Sequence, residues 1–367
     1  MRKAINRFIL LLAIFFQQCA THEKKTEPEY YTVDDYAKVK KIDAHVHILT
    51  RHTFFFDQSQ QDNFRLLNIN VDAPSVRPIE EQREITLQHL QHYPRIIAYA
   101  STFTVKNWND SDWEIKTLAA LQRSFEEGAI AVKIWKNVGM DLRDKTGKLV
   151  FIDNPRFDTI LDFIERNNIP LIGHFGEPKN CWEPLEKMTV NDYKHYYKAN
   201  PQFHMYLHPG VTTYEEQVAA RDRMLEKHPN LRFIGAHLGS LEWSLDELGK
   251  HLDRFPNMAV DMAERVSHFQ LEAIKDYQKT RDFCIKYADR LIYATDIIVD
   301  DNTDSTEMKK RAHDIRYTHW RFFVTNDTIT SSSVDGKFKG LKLPREVVDK
   351  IFFTNAQKWF PKAFKNE

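Results

Sequence analysis

Two histidines, His45 and His47, stand one residue apart in the sequence Lys41-Ile-Asp-Ala-His-Val-His-Ile48. Residues 42–48 have the character of a short strand, and the two-residue period of a strand sends both imidazoles to the same side. Neutral imidazole is a common ligand of divalent transition metals. The pair therefore predicts half of a metal site, which needs further ligands from other parts of the chain.

Further polar residues stand at the ends of short apolar runs elsewhere in the chain. Nearly continuous apolar runs of this length are typical of strands buried on both faces of a parallel sheet. If the carboxyl ends of such strands surround one opening, residues that are far apart in the sequence converge there. Four residues occupy such positions: Lys133, His174, His237 and Asp296.

The apolar runs alternate with segments of helical period, and this alternation predicts how the polar residues are positioned. Eight alternations predict a (β/α)₈ TIM barrel, an α/β fold. An open doubly wound sheet is the alternative, although no glycine-rich phosphate loop follows any predicted strand. Strands are predicted at 42–48, 65–71, 96–102, 129–135, 169–175, 231–236, 258–262 and 291–295, and helices at 79–92, 112–127, 155–167, 213–227, 241–255, 270–288, 304–324 and 343–360.

Two predicted connections are long, residues 49–64 after the first strand and residues 176–212 after the fifth. Both leave a strand at its carboxyl end, which is the active-site face of a barrel. The second connection is rich in tryptophan, tyrosine and phenylalanine. Connections of this length are often lids or binding loops, but elaborations that only add packing are an equal alternative.

The composition narrows the classes of function. The chain has 367 residues, with Lys plus Arg 52 and Asp plus Glu 52, so its formal net charge is zero. No basic excess is available to hold nucleic acid, and a small-molecule substrate is expected instead. Besides Cys19, only Cys181 and Cys284 are present, which is too few for a disulfide framework.

The amino-terminal segment predicts export. Basic residues come first, an unbroken apolar run covers residues 8–16, and Cys19 follows shortly after it. The run is too short to span a bilayer as a helix, but it fits the apolar region of a secretory signal. The segment resembles a bacterial lipoprotein signal, in which the cysteine is acylated. Residues 1–19 are therefore predicted to be a signal peptide and residues 20–39 a polar tether. The expected location is the periplasm, or the outer membrane or cell surface, with only the lipid anchor in the membrane; a short uncleaved anchor is the alternative.

Taken together, the motifs of residues 40–363 resemble the amidohydrolase superfamily, and within it the amidohydrolase-related (amidohydrolase 2) family. That family contains hydrolases together with non-hydrolytic decarboxylases and hydratases. It implies a TIM barrel of the metal-dependent hydrolase type. The resemblance depends on Asp43-Ala-His-Val-His47, Val132-Lys133, Ile172-Gly-His174, Gly235-Ala-His-Leu-Gly239, Thr295-Asp296 and the terminal Asn355-Ala.

The resemblance implies one divalent metal, most often zinc, bound by His45, His47, His174 and Asp296. Mn²⁺ or a second metal is the alternative. A zinc ion lowers the pKa of a bound water from about 16 to about 7 and so provides hydroxide near neutral pH. The resemblance also implies that Asp296 takes the proton of this water. His237 is implied to polarise a carbonyl or to protonate the leaving group.

Three further residues have roles that the sequence leaves open. Lys133 corresponds to a lysine that is carboxylated and bridges two metals in some branches, and that lies at the edge of the substrate in others. Glu177 is expected to contact the substrate or to support the ligands. Arg265 is expected to bind a substrate carboxylate. A salt bridge between Glu177 and Arg265, or to the surface, is the alternative.

The leading functional hypothesis is a metal-dependent hydrolase that cleaves an ester, a lactone or an amide through metal-bound hydroxide. A decarboxylase or hydratase with the same ligands is the second hypothesis. A non-catalytic binding lipoprotein at the cell surface is the third. Assembly into a homo-oligomer is a further expectation.

Overall fold

The computed structural model describes residues 30–364. The predicted signal peptide, its Cys19 and residues 20–29 of the predicted tether lie outside these residues. Nine parallel strands form the central sheet, in the order β8-β7-β6-β5-β4-β3-β2-β1-β9. Their bounds are β1 Lys41–Ile48, β2 Phe64–Ile69, β3 Ile97–Thr102, β4 Ala131–Ile134, β5 Leu171–Gly173, β6 Phe233–Gly235, β7 Met258–Asp261, β8 Leu291–Ile292 and β9 Ile297–Val299.

The two ends of the sheet meet at β1, which confirms the predicted (β/α)₈ barrel. The amide of Ala44 donates to the carbonyl of Tyr293 at 3.1 Å, and the amide of Asp296 donates to the carbonyl of His45 at 2.8 Å. The last predicted strand, 291–295, is shorter in the structure, where β8 covers only Leu291–Ile292. Asp296 has a φ of 64°, which extended backbone does not allow, and it separates the end of this segment from β9, which was not predicted and pairs with β1.

Helices follow the strands as the alternation predicts, and several start at a side-chain cap. Thr213 and Glu216 form a capping box at the start of one helix, and Ser244 and Asp304 cap the amides of two others. A two-stranded antiparallel ribbon, β10 Thr328–Ile329 with β11 Phe338–Lys339, lies outside the barrel. The helices are α1 Phe54–Gln61, α2 Ile79–His92, α3 Trp113–Glu126, α4 Asn137–Met140, α5 Asp158–Arg166, α6 Asn191–Ala199, α7 Tyr214–Lys227, α8 Leu245–Arg254, α9 Val266–Lys275, α10 Tyr277–Lys286, α11 Ser305–Val324, α12 Arg345–Asp349 and α13 Asn355–Trp359.

The structure differs from the predicted helices in several places: α4 and α6 were not predicted, the predicted helix 343–360 is interrupted by a π-helical turn at 350–354, and two further differences have a clear physical cause. Helix α1 lies within the predicted connection 49–64, since Phe55 and Phe56 are both fully buried there. The predicted helix 270–288 is two helices, because Asp276 has extended backbone and its carboxylate accepts from the amide of Lys279 at 3.0 Å. An extended residue with a side-chain cap ends one helix and starts the next.

The register of β1 against β2 shifts between Asp43 and Val46. Because of this irregularity, the even-numbered residues before and after it pack on different sides of the sheet. Before it, Ile42 and Ala44 pack in a cluster with residues of the other strands and with α13. After it, Val46 and Ile48 pack in a different cluster with residues of α1 and α11. The two histidines therefore take the opposite face from Val46 and Ile48.

The connection 176–212 contains α6 and several single turns of 3₁₀-helix. Among its aromatic residues, Tyr193 and Tyr197 are buried in the main core, whereas Tyr196, Phe203 and Tyr206 are exposed. Part of this segment therefore adds packing. Across residues 30–364, no helix combines the length and apolar character needed to cross a bilayer.

Candidate metal centre at the barrel mouth

His45 and His47 share one face of β1, with ring centroids 5.2 Å apart. In each ring the Nδ1 atom forms a hydrogen bond with a buried acceptor. His47 Nδ1 donates to the carbonyl of Ile69 at 2.7 Å, and His45 Nδ1 lies 2.9 Å from Oδ2 of Asp261. Because these partners only accept, each Nε2 is left unprotonated and available as a ligand.

The carboxylate of Asp296 lies between the two free Nε2 atoms. Its Oδ1 is 3.3 Å from Nε2 of His45 and 3.2 Å from Nε2 of His47, yet this buried oxygen has no hydrogen-bond partner among residues 30–364. Ligands bound at about 2.1 Å around one ion stand roughly 3.0–3.4 Å apart. The spacing and the missing hydrogen bond fit three ligands of one divalent metal.

Burial alone would raise the pKa of Asp296, but the rings of His45, His237 and His47 together hold it well below its ordinary value. The pKa of His45 is lowered by burial and by the nearby ammonium of Lys133. The site therefore holds an ionised carboxylate and a neutral imidazole, which are the protonation states that metal ligands require.

Sequence reasoning missed Asp261, the last residue of β7. Its Oδ2 faces His45, while its Oδ1 accepts from the amides of His237 at 2.9 Å and Ala263 at 3.2 Å. These partners, His45 foremost, lower the pKa of Asp261 to about 2 against the opposing effect of burial. The sequence does show a carboxylate near the end of the seventh predicted strand, and this signal could have identified Asp261. The sequence does not show which residues this carboxylate contacts.

His237 lies in a left-handed turn that follows β6 and has a φ of 56°. Its Nδ1 donates to the carbonyl of Ala263 at 3.0 Å, so its Nε2 is unprotonated. Burial lowers the pKa of His237 well below its ordinary value. One ligand atom from each of His237, Glu264 and Asp296 lies within 4.8 Å of the others. Sequence reasoning also missed Glu264.

Non-glycine residues at positive φ are uncommon, and three of them meet at this site: His237, Glu264 at 54° and Asp296 at 64°. Such backbone persists only where the surrounding structure holds it, and it clusters at functional sites. Here the amide of Glu264 donates to the carbonyl of Thr295 at 3.3 Å, which ties the ends of β7 and β8 together.

His174 follows β5 and is buried, with its ring centroid 4.3 Å from that of His237. Its Nε2 has no hydrogen-bond partner in the part of the chain that the structure describes. Within residues 30–364, His174 is not part of the group formed by His45, His47 and Asp296, whose ligand atoms lie within 4.8 Å of one another. The structure thus places His174 at the same end of the barrel, the mouth formed by the carboxyl ends of the strands. The ring of His237 is its neighbour in this site.

The glycine before His174 is required by close packing. A Cβ atom at Gly173 would lie 2.4 Å from ring carbons of both Phe175 and Phe233. Glycine lets β5 approach these rings, and His174 follows directly. At the far end of the chain, Asn355 donates to the carbonyls of Ala288 and Leu291 at 2.6 and 2.7 Å, so the terminal motif anchors the start of β8.

Lys133 projects from β4 with its Nζ 3.4 Å from Nε2 of His45. Burial lowers the pKa of Lys133 to about 8, so a fraction of the amine is neutral in mildly alkaline solution. A neutral amine is the form that reacts with CO₂, whereas an ammonium can donate to a substrate. Both roles considered for Lys133 therefore remain compatible with its position.

Glu177 and Arg265 do not pair with each other. Glu177 forms an ion pair with Lys136, which sequence reasoning missed, and Arg265 Nη1 lies 3.2 Å from Oε2 of Glu264. Arg265 is buried, and its guanidinium lies 5.1 Å from the ring centroid of Tyr193. Among the described residues, its Nε has no hydrogen-bond partner. The site therefore contains a buried cation with an unused donor.

The fold and the site define a TIM barrel with a candidate metal centre at the carboxyl ends of its strands. The amidohydrolase family model matches residues 42–362. The chain therefore belongs to the amidohydrolase family, and it is an enzyme of this metal-dependent family with a small-molecule substrate.

Several solved structures share the fold at low sequence identity. A TIM-barrel protein of unknown function from Bordetella bronchiseptica is 15% identical with a TM-score of 0.52, and covers 88% of this chain and 99% of its own. The 2,6-dihydroxybenzoate decarboxylase from Rhizobium is 13% identical with a TM-score of 0.50, and covers 88% of this chain and 98% of its own. No curated protein sequence matches the chain.

Proposed function

We propose that the chain is a zinc-dependent hydrolase that cleaves an ester, a lactone or an amide. The observation that supports it is the position of Asp296 Oδ1, which lies 3.3 and 3.2 Å from the free Nε2 atoms of His45 and His47 without a hydrogen bond. His174, with a buried and unpartnered Nε2, is the proposed fourth ligand. Nitrogen and oxygen donors in this number suit zinc, and Mn²⁺ is the next choice.

A bound divalent ion would supply Lewis acidity, which polarises a carbonyl and makes a water more acidic. The residues around it have separate tasks. Asp296, ionised because of its imidazole neighbours, accepts the proton of the attacking water. His237, whose Nε2 is unprotonated and close to Asp296, would take this proton from Asp296 and pass it to the leaving group.

The same residues allow a second function, decarboxylation or hydration, and one observation favours it. Arg265 is a buried cation whose Nε is unused, and such a group binds a substrate carboxylate well. The decarboxylase from Rhizobium has the same fold, and similarity at that identity extends no further. The substrate of a decarboxylase always carries a carboxylate, whereas an ester, a lactone or an amide need not, so this cation favours the second function.

The test combines elemental analysis with a screen of lactones, esters, amides and aromatic acids. We expect one equivalent of metal at the mouth, lost together with activity in His45→Ala and Asp296→Asn, while circular dichroism shows a folded barrel. Full activity in either variant would exclude the metal assignment. In H₂¹⁸O, a hydrolase incorporates the isotope into the acid product, whereas a decarboxylase releases CO₂ from the substrate without hydrolysing it.

We also propose export and anchoring through an acylated Cys19, as well as assembly into a homo-oligomer. The support for export is the basic start followed by the apolar run and the cysteine. Labelled palmitate should be incorporated into the wild-type chain in a bacterial host and not into Cys19→Ala.

The proposed homo-oligomer is tested separately. Light scattering of residues 20–367 would give the molar mass in solution and therefore the oligomeric state.

A further inference from the structure

A second group of potential ligands lies on the outer wall of the barrel, away from the mouth. Helix α5 carries Asp158, Asp162 and Glu165, whose spacing of four and three residues places them on one face. His228 directly follows α7 and is 3% exposed. Both helices run back toward the amino ends of the strands, so this group lies on the side of the barrel opposite to the metal centre.

The imidazole of His228 lies among the three carboxylates. Its Nδ1 is 3.3 Å from Oδ1 of Asp162 and 3.9 Å from Oε2 of Glu165. One ligand atom from each of these three residues lies within 4.8 Å of the others. The Nε2 atom of His228 is buried, has no hydrogen-bond partner within residues 30–364, and lies 3.7 Å from Oδ1 of Asp158.

This arrangement resembles a histidine metal ligand that has a carboxylate near its second nitrogen. A histidine that binds a metal through one nitrogen usually donates its other N–H to a carboxylate, which fixes the tautomer. If Nδ1 is the ligand, the proton is on Nε2, whose nearest carboxylate is Asp158 at 3.7 Å, slightly beyond hydrogen-bond distance. Asp158 is itself held by an ion pair with Lys227, and Glu165 by the amide of Asn230 at 2.8 Å.

We propose that Asp162, Glu165 and Nδ1 of His228 form a second zinc site, with Asp158 as the positioning residue for the imidazole. Two carboxylates balance the charge of a divalent ion, and the imidazole favours zinc over calcium or magnesium. The side chain of Asp162 is 49% exposed, so the ion can enter from solvent and retain water in its open position. A bound ion joins α5 to the end of α7 and stabilises the barrel wall.

The test counts zinc by equilibrium dialysis and elemental analysis of the full chain. Wild type should bind one equivalent more than the double variant Asp162→Asn, Glu165→Gln, and the variant should keep its hydrolytic activity. Zinc should also raise the melting temperature of wild type by about 2 °C more than that of the variant. Glu215→Gln, an exposed residue at the other end of α7, is the matched control and should behave as wild type.

Asp162→Asn alone provides a milder change at a half-exposed side chain, in case the double variant folds poorly. An unchanged zinc count together with unchanged zinc-dependent stabilisation in a folded variant would overturn the proposal. His45→Ala separates the two sites: it should remove the equivalent at the mouth and leave the outer equivalent in place. If the mouth binds no metal, wild type still carries one zinc, which the Asp162 and Glu165 variants lose.

Discussion

Oδ2 of Asp261 lies 2.9 Å from Nδ1 of His45, although 216 residues separate them in the chain. The other oxygen of Asp261 accepts from the amide of His237. One carboxylate thus orients both a candidate metal ligand and the candidate proton carrier. It fixes which nitrogen of His45 faces Asp296, and it stabilises the left-handed turn that presents His237.

Asp261→Asn should weaken metal binding at the mouth about 10–100-fold, the usual effect of losing the carboxylate behind a ligating histidine. The side-chain amide of the asparagine has one oxygen that accepts and one nitrogen that does not, so the hydrogen bond from Nδ1 of His45 depends on its orientation. The negative charge that supports the imidazole is lost in either orientation. Competition with a chelator of known affinity measures the change. Asp314→Asn, an exposed residue of α11, should leave affinity unchanged. Wild-type affinity in Asp261→Asn would show that the contact has no effect on the metal.

His237→Asn should keep the metal at the mouth and lower turnover by about 10²–10⁴-fold, the typical contribution of a positioned proton carrier. The reason is that the Nε2 of His237 is free, whereas His45 and His47 direct theirs at Asp296. Metal content and kcat are measured on the same preparation. Loss of metal would instead assign His237 as a ligand, together with Glu264 and Asp296. His92→Asn, an exposed change at the end of α2, is the control.

Arg316→Met should lower the free energy of unfolding by about 3–5 kcal/mol. Arg316 and Asp43 are both fully buried, and Nη2 of Arg316 lies 3.0 Å from Oδ2 of Asp43. Removing the cation leaves a carboxylate in the core whose remaining hydrogen bonds, among the described residues, come from Thr295. Urea unfolding measures the loss. Adding Asp43→Asn should recover part of it, and a double variant less stable than Arg316→Met would argue against this explanation.

Stability should fall as the pH drops from about 6.5 to about 4, and His319 should account for part of the fall. Burial lowers the pKa of His319 to about 4, and its Nδ1 accepts from the hydroxyl of Tyr293 at 3.1 Å. Between these pH values the unfolded chain takes up a proton that the folded chain does not, so acid favours unfolding.

In His319→Gln, the difference in unfolding free energy between pH 6.5 and pH 4 should shrink by about 1–3 kcal/mol. Glutamine keeps an acceptor for Tyr293 but does not titrate. Urea unfolding at a series of pH values measures the slope. A slope equal to that of wild type would show that His319 is protonated in the folded state as easily as in the unfolded state.

Much of the barrel could be predicted because its signals are local. Short apolar runs separated by amphipathic segments specify parallel strands and covering helices, and capping residues mark several helix starts. The wrongly predicted helices have different causes: the break at Asp276 is local, whereas helix α1 depends on distant packing. Helix α1 forms because Phe55 and Phe56 are buried against β1 and α11, and residues 49–64 alone do not show this.

The sequence by itself determined the order of the elements and which polar residues end the strands, including His45, His47, His237 and Asp296. Only the tertiary structure decided their partners: Asp261 for His45, Lys136 for Glu177, and Glu264 beside Asp296. Periodicity fixes the side of a strand to which a residue points, because it is a property of neighbouring backbone units. Which charge that residue meets depends on the closure of the barrel, which brings residues hundreds of positions apart into contact.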